Sequence, residues 1–134
     1  MVVRDHLGAV LGSSWQRLCA SLSPPIAEAV AILRGLVFAA ELGVRIGVIE
    51  SDAASVVKLI NGDLVSNSEI GIVIHDIKRV LSNFHGVIVD FVPRLANTVT
   101  HGLAKLALVS VSDCFLVDDV PPCVESCVLA DVPR

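Results

Sequence analysis

The chain has 134 residues, of which 54% are hydrophobic and 18% charged, and its formal net charge is −4. This length favours a single domain, and the dominance of small aliphatic side chains over aromatic ones (4%) is typical of an α/β protein. A membrane span and a secretory signal peptide are disfavoured, because no apolar run of about 18 residues lacks a charge and the N-terminus has no long apolar core.

The first predicted elements are a β-hairpin and a long helix. Residues 1–18 hold two strand-like runs around the turn DHLG, in which Gly8 is free to adopt a positive φ. Ser23 is expected to cap a helix that begins with two prolines, and Gly43 is expected to end it. Because few charges interrupt this helix, it should be heavily buried.

The middle of the chain alternates between strand-like and helix-like patterns. The predicted elements are a strand at Arg45–Glu50, a helix at Ala53–Ile60, a loop at 63–69, a helix at 70–81, a strand at Gly86–Val92 and a helix at about Asn97–Val109. The order β-β-α-β-α-α-β-α predicts an α/β fold with a mixed, partly parallel sheet flanked by helices.

The charge is concentrated at the C-terminal end. Residues from 112 onward carry five acids against Arg134 alone, which accounts for the whole net charge, whereas residues 1–111 sum to zero. We therefore predict a domain at 1–111 and an acidic, loosely docked tail at 112–134, with one helical turn near CVESCVL. No basic stripe is present, so nucleic-acid binding is expected to be weak by charge.

The cysteines and the lack of a signal peptide predict an intracellular protein, cytoplasmic or nuclear, that keeps its thiols reduced. The sequence CVESC lacks a second pair of ligands, which argues against a zinc site. The four cysteines are Cys19, Cys114, Cys123 and Cys127.

Glu28 and Asp52 are the candidate metal-binding residues. Glu28 is expected in the first turn of the long helix, and Asp52 follows the strand Arg45–Glu50. Because a helix and the next strand run antiparallel, both acids should lie at one edge of the domain, where two carboxylates could hold Mg²⁺. Each acid alone has a simpler interpretation, Asp52 as the N-cap of the helix at Ala53 and Glu28 as an acid favoured by the helix dipole.

Five segments together resemble the plant ribonuclease H-like, reverse-transcriptase-like domains over roughly residues 1–110. They are VVRDHLGAVLGS, AEAVAILRGLVFAAELGV, VIESDAASVVKLING, IHDIKRVL and DFVPRLANTVTHGLAKLAL. The resemblance implies the ribonuclease H fold, a five-stranded mixed sheet flanked by helices. It also implies an ancestral activity, the Mg²⁺-dependent (or Mn²⁺-dependent) cleavage of RNA in RNA–DNA hybrids.

The resemblance also implies roles for particular residues. Glu28 matches the family's acid on the first helix, and Asp52 matches the acid that ends the fourth strand. The fourth acid position falls on His101, where imidazole is a poorer Mg²⁺ ligand than carboxylate and could instead move a proton. The family's first, central strand and its Asp should precede Val2 and are expected to be absent, and Asp5 belongs to a turn elsewhere.

Three functions therefore remain open. The chain could be a nucleic-acid-binding domain whose nuclease activity is weak or lost, since two of the four acids are missing. It could instead be an active hybrid ribonuclease completed by an upstream segment. The third alternative is a non-catalytic module that binds a protein partner, which the neutral body and few aromatics favour.

Overall fold

The computed structural model of the protein describes residues 1–18, 21–63 and 66–131. These residues form two compact units: unit 1 comprises Met1–Leu18 with Arg94–Arg134, and unit 2 comprises Cys19–Pro93. The elements, in chain order, are β1 (Val2–Arg4), β2 (Val10–Trp15), α1 (Pro24–Glu41), β3 (Val48–Ser51), α2 (Ala54–Asn61), α3 (Glu69–Leu81), β4 (Ile88–Phe91), a 3₁₀ helix (Arg94–Ala96), α4 (Thr98–Val109), β5 (Cys114–Val117) and α5 (Pro122–Ala130). The predicted mixed α/β class is confirmed.

Unit 1 contains an antiparallel sheet in the order β1-β2-β5. The predicted hairpin is present, and its turn is held by Asp5, whose Oδ1 accepts hydrogen bonds of 2.9 Å from the backbone amides of Leu7 and Ala9. Gly8 has the expected positive φ, at 86°. The short side chain at Asp5 and the glycine therefore fix this turn locally.

The C-terminal part of unit 1 differs from the prediction. The sequence indicated a loosely docked tail with one helical turn, whereas the structure has a strand, β5, paired with β2, and a nine-residue helix, α5. Val120 and Val124 are buried in one core cluster with Val99 and Leu103 of α4. These elements depend on partners distant in sequence, which a search for local periodicity does not detect. The division of the chain at residue 111 stays a prediction.

Unit 2 packs α1, α2 and α3 around one apolar cluster, to which β4 contributes Val89. The expected stop of α1 is confirmed: Gly43 has φ 70°, its amide donates to the carbonyl of Ala40, and the amide of Val44 donates to that of Ala39. This is a Schellman motif, which satisfies the last carbonyls of the helix. The other buried members of the cluster are Ala29, Leu36, Val56, Val57, Ile60, Ile74 and Ile77.

The parallel pair β3–β4 is shorter and more exposed than the sequence suggested. Each strand begins with two apolar residues followed by an acid, and successive side chains alternate between two faces. Ile49 and Val89 are register partners on the covered face, whereas Val48 and Ile88 are 53% and 55% exposed. The prediction of a strand beginning at Arg45 was wrong, since β3 begins at Val48.

The strands of the described residues form two sheets, one of three strands and one of two, instead of the single five-stranded sheet that the resemblance implies. The hairpin pairs with β5, and β3 pairs with β4. In their own sheets, β1 and β3 are each edge strands.

Two further groups bear on stability and chemistry. The amino group of Met1 donates a 2.7 Å hydrogen bond to the carbonyl of Ser14, and burial lowers the pKa of this amino group from 8.0 to about 6.

Cys114, Cys123 and Cys127 are free thiols, while Cys19 and the loop residues Leu64 and Val65 lie outside the described residues. No helix of the described residues is long and apolar enough to cross a membrane.

Candidate functional site

Glu28 lies on the exposed side of α1, just beyond the first turn in which the sequence analysis placed it. The helix begins at Pro24, and its first turn contains no acid. The interpretation of Glu28 as a first-turn acid favoured by the helix dipole is therefore wrong, because this effect fades beyond that turn. The side chain of Ser23, at the N-cap, makes no capping hydrogen bond, although the backbone carbonyl of Ser23 accepts from the amide of Ala27 at 2.9 Å.

Asp52 is half-buried and directly follows β3. The N-cap of α2 is Ala53, one residue after Asp52, and its side chain makes no capping hydrogen bond. The buried Ser51 makes a local polar contact, since its Oγ accepts a 3.2 Å hydrogen bond from the amide of Ala53. Asp52 therefore does not occupy the N-cap position that the simpler interpretation assigns to it.

The two candidate acids are attached to neighbouring parts of one core. Glu28 precedes Ala29, which is fully buried in the cluster of unit 2, and Asp52 precedes Ala53, which packs against the same cluster. A contact of both carboxylates with one ion stays a prediction, and the shared core is the observation that favours it.

Sequence reasoning passed over two further acids near the carboxyl ends of the parallel strands. Glu50 of β3 and Asp90 of β4 are register partners, and both are exposed. The sequence alone could have indicated them, since the two predicted strands Arg45–Glu50 and Gly86–Val92 each carry an acid near the carboxyl end. Side chains two residues apart share a face of a strand, so Glu50 and Asp90 extend the negative charge at the edge where Asp52 follows β3.

The fit to Mg²⁺ is limited by the number of ligands. Among residues 1–18, 21–63 and 66–131, no group of three or more His, Cys, Asp or Glu side chains is arranged to hold a metal ion. Carboxylate oxygens suit Mg²⁺, which keeps several waters, so Glu28 and Asp52 are a chemically suitable pair for one ion. They are too few to clamp the two ions of phosphodiester hydrolysis.

His101 belongs to α4 in unit 1 and is half-buried. Its imidazole contacts the guanidinium of Arg94, whose Nη2 lies 3.3 Å from Nδ1 and 3.0 Å from Nε2. The position at which the resemblance places a metal-binding acid therefore holds a histidine next to a cation. The role of His101 as a proton carrier stays a prediction.

The α/β elements and the acids at the end of the parallel strand pair are features expected of the ribonuclease H-like class, whereas the contact of Arg94 with His101 departs from the acid that the resemblance implies on this helix. The chain belongs to the reverse transcriptase-like family, whose model matches residues 1–107. This family connects the chain with nucleic-acid-related hydrolase chemistry. Comparisons with curated proteins and with solved structures gave no match.

Proposed function

We propose that the protein is a nucleic-acid-binding domain of the ribonuclease H-like class in which hydrolysis of RNA–DNA hybrids is weak or lost. The observation that carries this proposal is the pairing of His101 with Arg94 at the position of the fourth acid. A cation beside that position disfavours a second Mg²⁺, because like charges repel. Glu28 and Asp52 are the acids we expect to share one Mg²⁺ or Mn²⁺ ion.

Binding and cleavage are tested separately with a labelled RNA–DNA hybrid. We expect a hybrid affinity that falls with salt, as for any protein that contacts phosphates, and no cleavage above the level without protein in Mg²⁺. Mg²⁺-dependent cleavage by the purified chain that Asp52→Asn abolishes would overturn the loss of activity. That result would favour the alternative of an active hybrid ribonuclease. A further rise in cleavage on adding an upstream segment would indicate that this segment completes the enzyme.

Metal binding is followed by NMR during a Mg²⁺ or Mn²⁺ titration. We expect changes at Glu28 and Asp52 that Glu28→Gln and Asp52→Asn each reduce. The matched controls are Glu41→Gln, at the far end of α1, and Asp63→Asn, after α2, which are exposed acids outside the candidate pair. Equal changes at Glu41 and Glu28 would mean nonspecific attraction of the ion.

A protein-interaction module is the second candidate, and it is favoured by large apolar side chains at the surface of unit 1. Five of them are at least 74% exposed: Leu95, Leu108, Val109, Val111 and Leu129. Exposed apolar side chains mark an interaction surface where they form one contiguous patch, and Leu108, Val109 and Val111 are close together in the sequence. Capture of one protein partner that resists high salt, with no retention on a hybrid column, would favour this function over nucleic-acid binding.

A further inference from the structure

Three basic residues lie on α4 and on the 3₁₀ helix that precedes it. Arg94 is in the 3₁₀ helix just before α4, and His101 and Lys105 are one helical turn apart on α4 itself. Side chains at this spacing lie on the same face of a helix. We call Arg94, His101 and Lys105 the basic cluster.

The contact between Arg94 and His101 has an unusual geometry. One guanidinium nitrogen, Nη2, lies within 3.3 Å of both ring nitrogens. A nitrogen in the ring plane could not reach both without colliding with the carbon between them, so Nη2 lies over the face of the imidazole. This contact uses one nitrogen of the guanidinium, and the other N–H donors of an arginine can bind an anion at the same time.

No resolved ion pair of the described residues joins an acid to the basic cluster. The 3₁₀ helix and α4 contain no Asp or Glu. The acids Asp131 and Asp76 pair with Arg4 and Arg79, which lie outside the cluster. Arg94 and Lys105 are also exposed. The cluster is therefore a local concentration of accessible positive charge in a chain whose net charge is −4.

We propose that the basic cluster binds backbone phosphates of a nucleic acid, with Arg94 held over His101 so that its guanidinium fork faces the phosphodiester. This proposal rests on the nucleic-acid binding proposed above and assigns it to a surface. Guanidinium groups match the oxygens of phosphate in a two-pronged geometry, and Lys105 adds a point charge one turn further along α4. Such contacts give affinity without sequence preference.

The first experiment measures hybrid affinity by fluorescence anisotropy over a series of salt concentrations. Arg94→Met and Lys105→Met should each weaken binding and lower the slope of log affinity against log salt by about 1, since each removes one phosphate contact. Arg94→Lys keeps the charge but loses the guanidinium fork, so it should retain the slope with reduced affinity. The matched control Arg79→Met, on the surface of α3, should retain both. Fluorescence of Trp15 checks that each variant is folded.

The outcomes separate this inference from the proposed function. If the wild type binds the hybrid and the two cluster variants keep its affinity and slope, the inference fails while the proposed function stands. If a glutamate-rich peptide binds as tightly as the hybrid and competes with it, a general anion surface replaces the nucleic-acid site and the inference fails.

A second readout does not depend on hybrid binding. Inorganic phosphate should shift the NMR signals of the His101 ring and of Arg94 Nε, whereas chloride at equal ionic strength should not. If the hybrid does not bind but phosphate gives these shifts, the phosphate site stands and the proposed function fails. If neither binds, both are overturned.

Discussion

Arg4 of β1 and Asp131, at the end of α5, form an ion pair in which Arg4 Nη2 lies 2.5 Å from Asp131 Oδ2. Arg4 Nη1 also donates to the backbone carbonyl of Asp131 at 3.3 Å. The two side chains are 21% and 34% exposed, so the pair is partly shielded from water. A charge of the acidic C-terminal segment is therefore used to join it to the first strand.

Removal of this ion pair should destabilise unit 1. We expect Asp131→Asn to lower the free energy of unfolding by about 1 kcal/mol, near the upper end for exposed pairs, because the contact is short and partly shielded. Urea denaturation followed by the fluorescence of Trp15, the only tryptophan and a residue of unit 1, measures the change. The control Asp76→Asn removes a 3.5 Å pair with Arg79 on the open surface of α3 and should cost less than about 0.5 kcal/mol. Equal losses would contradict the prediction.

The side-chain amide of Asn61, at the end of α2, supports β4. It donates a 2.8 Å hydrogen bond to the carbonyl of Val89. The amides of Ile88 and Val92 point to the β3 side, so by alternation the carbonyl of Val89 faces the edge that has no strand partner. Asn61→Ala should reduce stability by about 1 kcal/mol and speed hydrogen exchange in β4. The exposed Asn83→Ala is the control, and exchange in β4 that is unchanged in Asn61→Ala would refute this role.

Gly71, in the first turn of α3, should not tolerate a side chain. A Cβ there would lie 2.8 Å from the backbone carbonyl carbon of Ser66 and would overlap its oxygen. Alanine usually stabilises a helix by about 1 kcal/mol relative to glycine, but this clash should reverse the sign. Thermal unfolding should show a lower Tm for Gly71→Ala. Gly47→Ala, where a Cβ meets nothing within 4 Å, should leave Tm nearly unchanged or raise it.

The amino group of Met1 should make the stability of the 134-residue chain depend on pH. Burial lowers its pKa from 8.0 in the unfolded chain to about 6. Between pH 8 and 6 the unfolded chain takes up a proton that the folded chain does not, so stability should fall as the pH drops through this range and level off below about pH 6. The loss is at most about 3 kcal/mol for two pKa units. A chain acetylated at Met1 should lack this component, and identical pH profiles for the two chains would disprove it.

Much of the fold was predictable where the signals are local. The hairpin turn follows from Asp5 and Gly8, and the end of α1 follows from Gly43, because each conformation is imposed by residues within the turn itself. β5 and α5 were missed for the opposite reason. A four-residue apolar run and a helix that begins at Pro122 gain their stability from β2 and α4, whose residues are far away in the sequence.

The candidate site residues stay predictions, and the structure tests only their positions within each element. An aspartate just before a helical pattern favours a cap, yet α2 begins one residue later and Ala53 takes the N-cap position beside Asp52. The start of α1 was predicted correctly, with Ser23 at the N-cap, but Glu28 is the fifth residue of the helix and therefore lies just beyond its first turn. The contact of Arg94 with His101 could not be predicted, since it joins two side chains whose orientation is set by the turn between them.

Unit 1 is formed by two separate segments of the chain, Met1–Leu18 and Arg94–Arg134, and this has a consequence for its synthesis on the ribosome. Its hairpin is translated first, but β5, α4 and α5 become available only after all of unit 2 has left the exit tunnel. Unit 2 is a continuous segment and can complete its core during translation, while an isolated two-stranded hairpin is marginal in water. In the nascent chain, the edge of β2 that later pairs with β5 therefore has no strand partner. A chaperone that binds this edge would delay the folding of unit 1 without affecting the folding of unit 2.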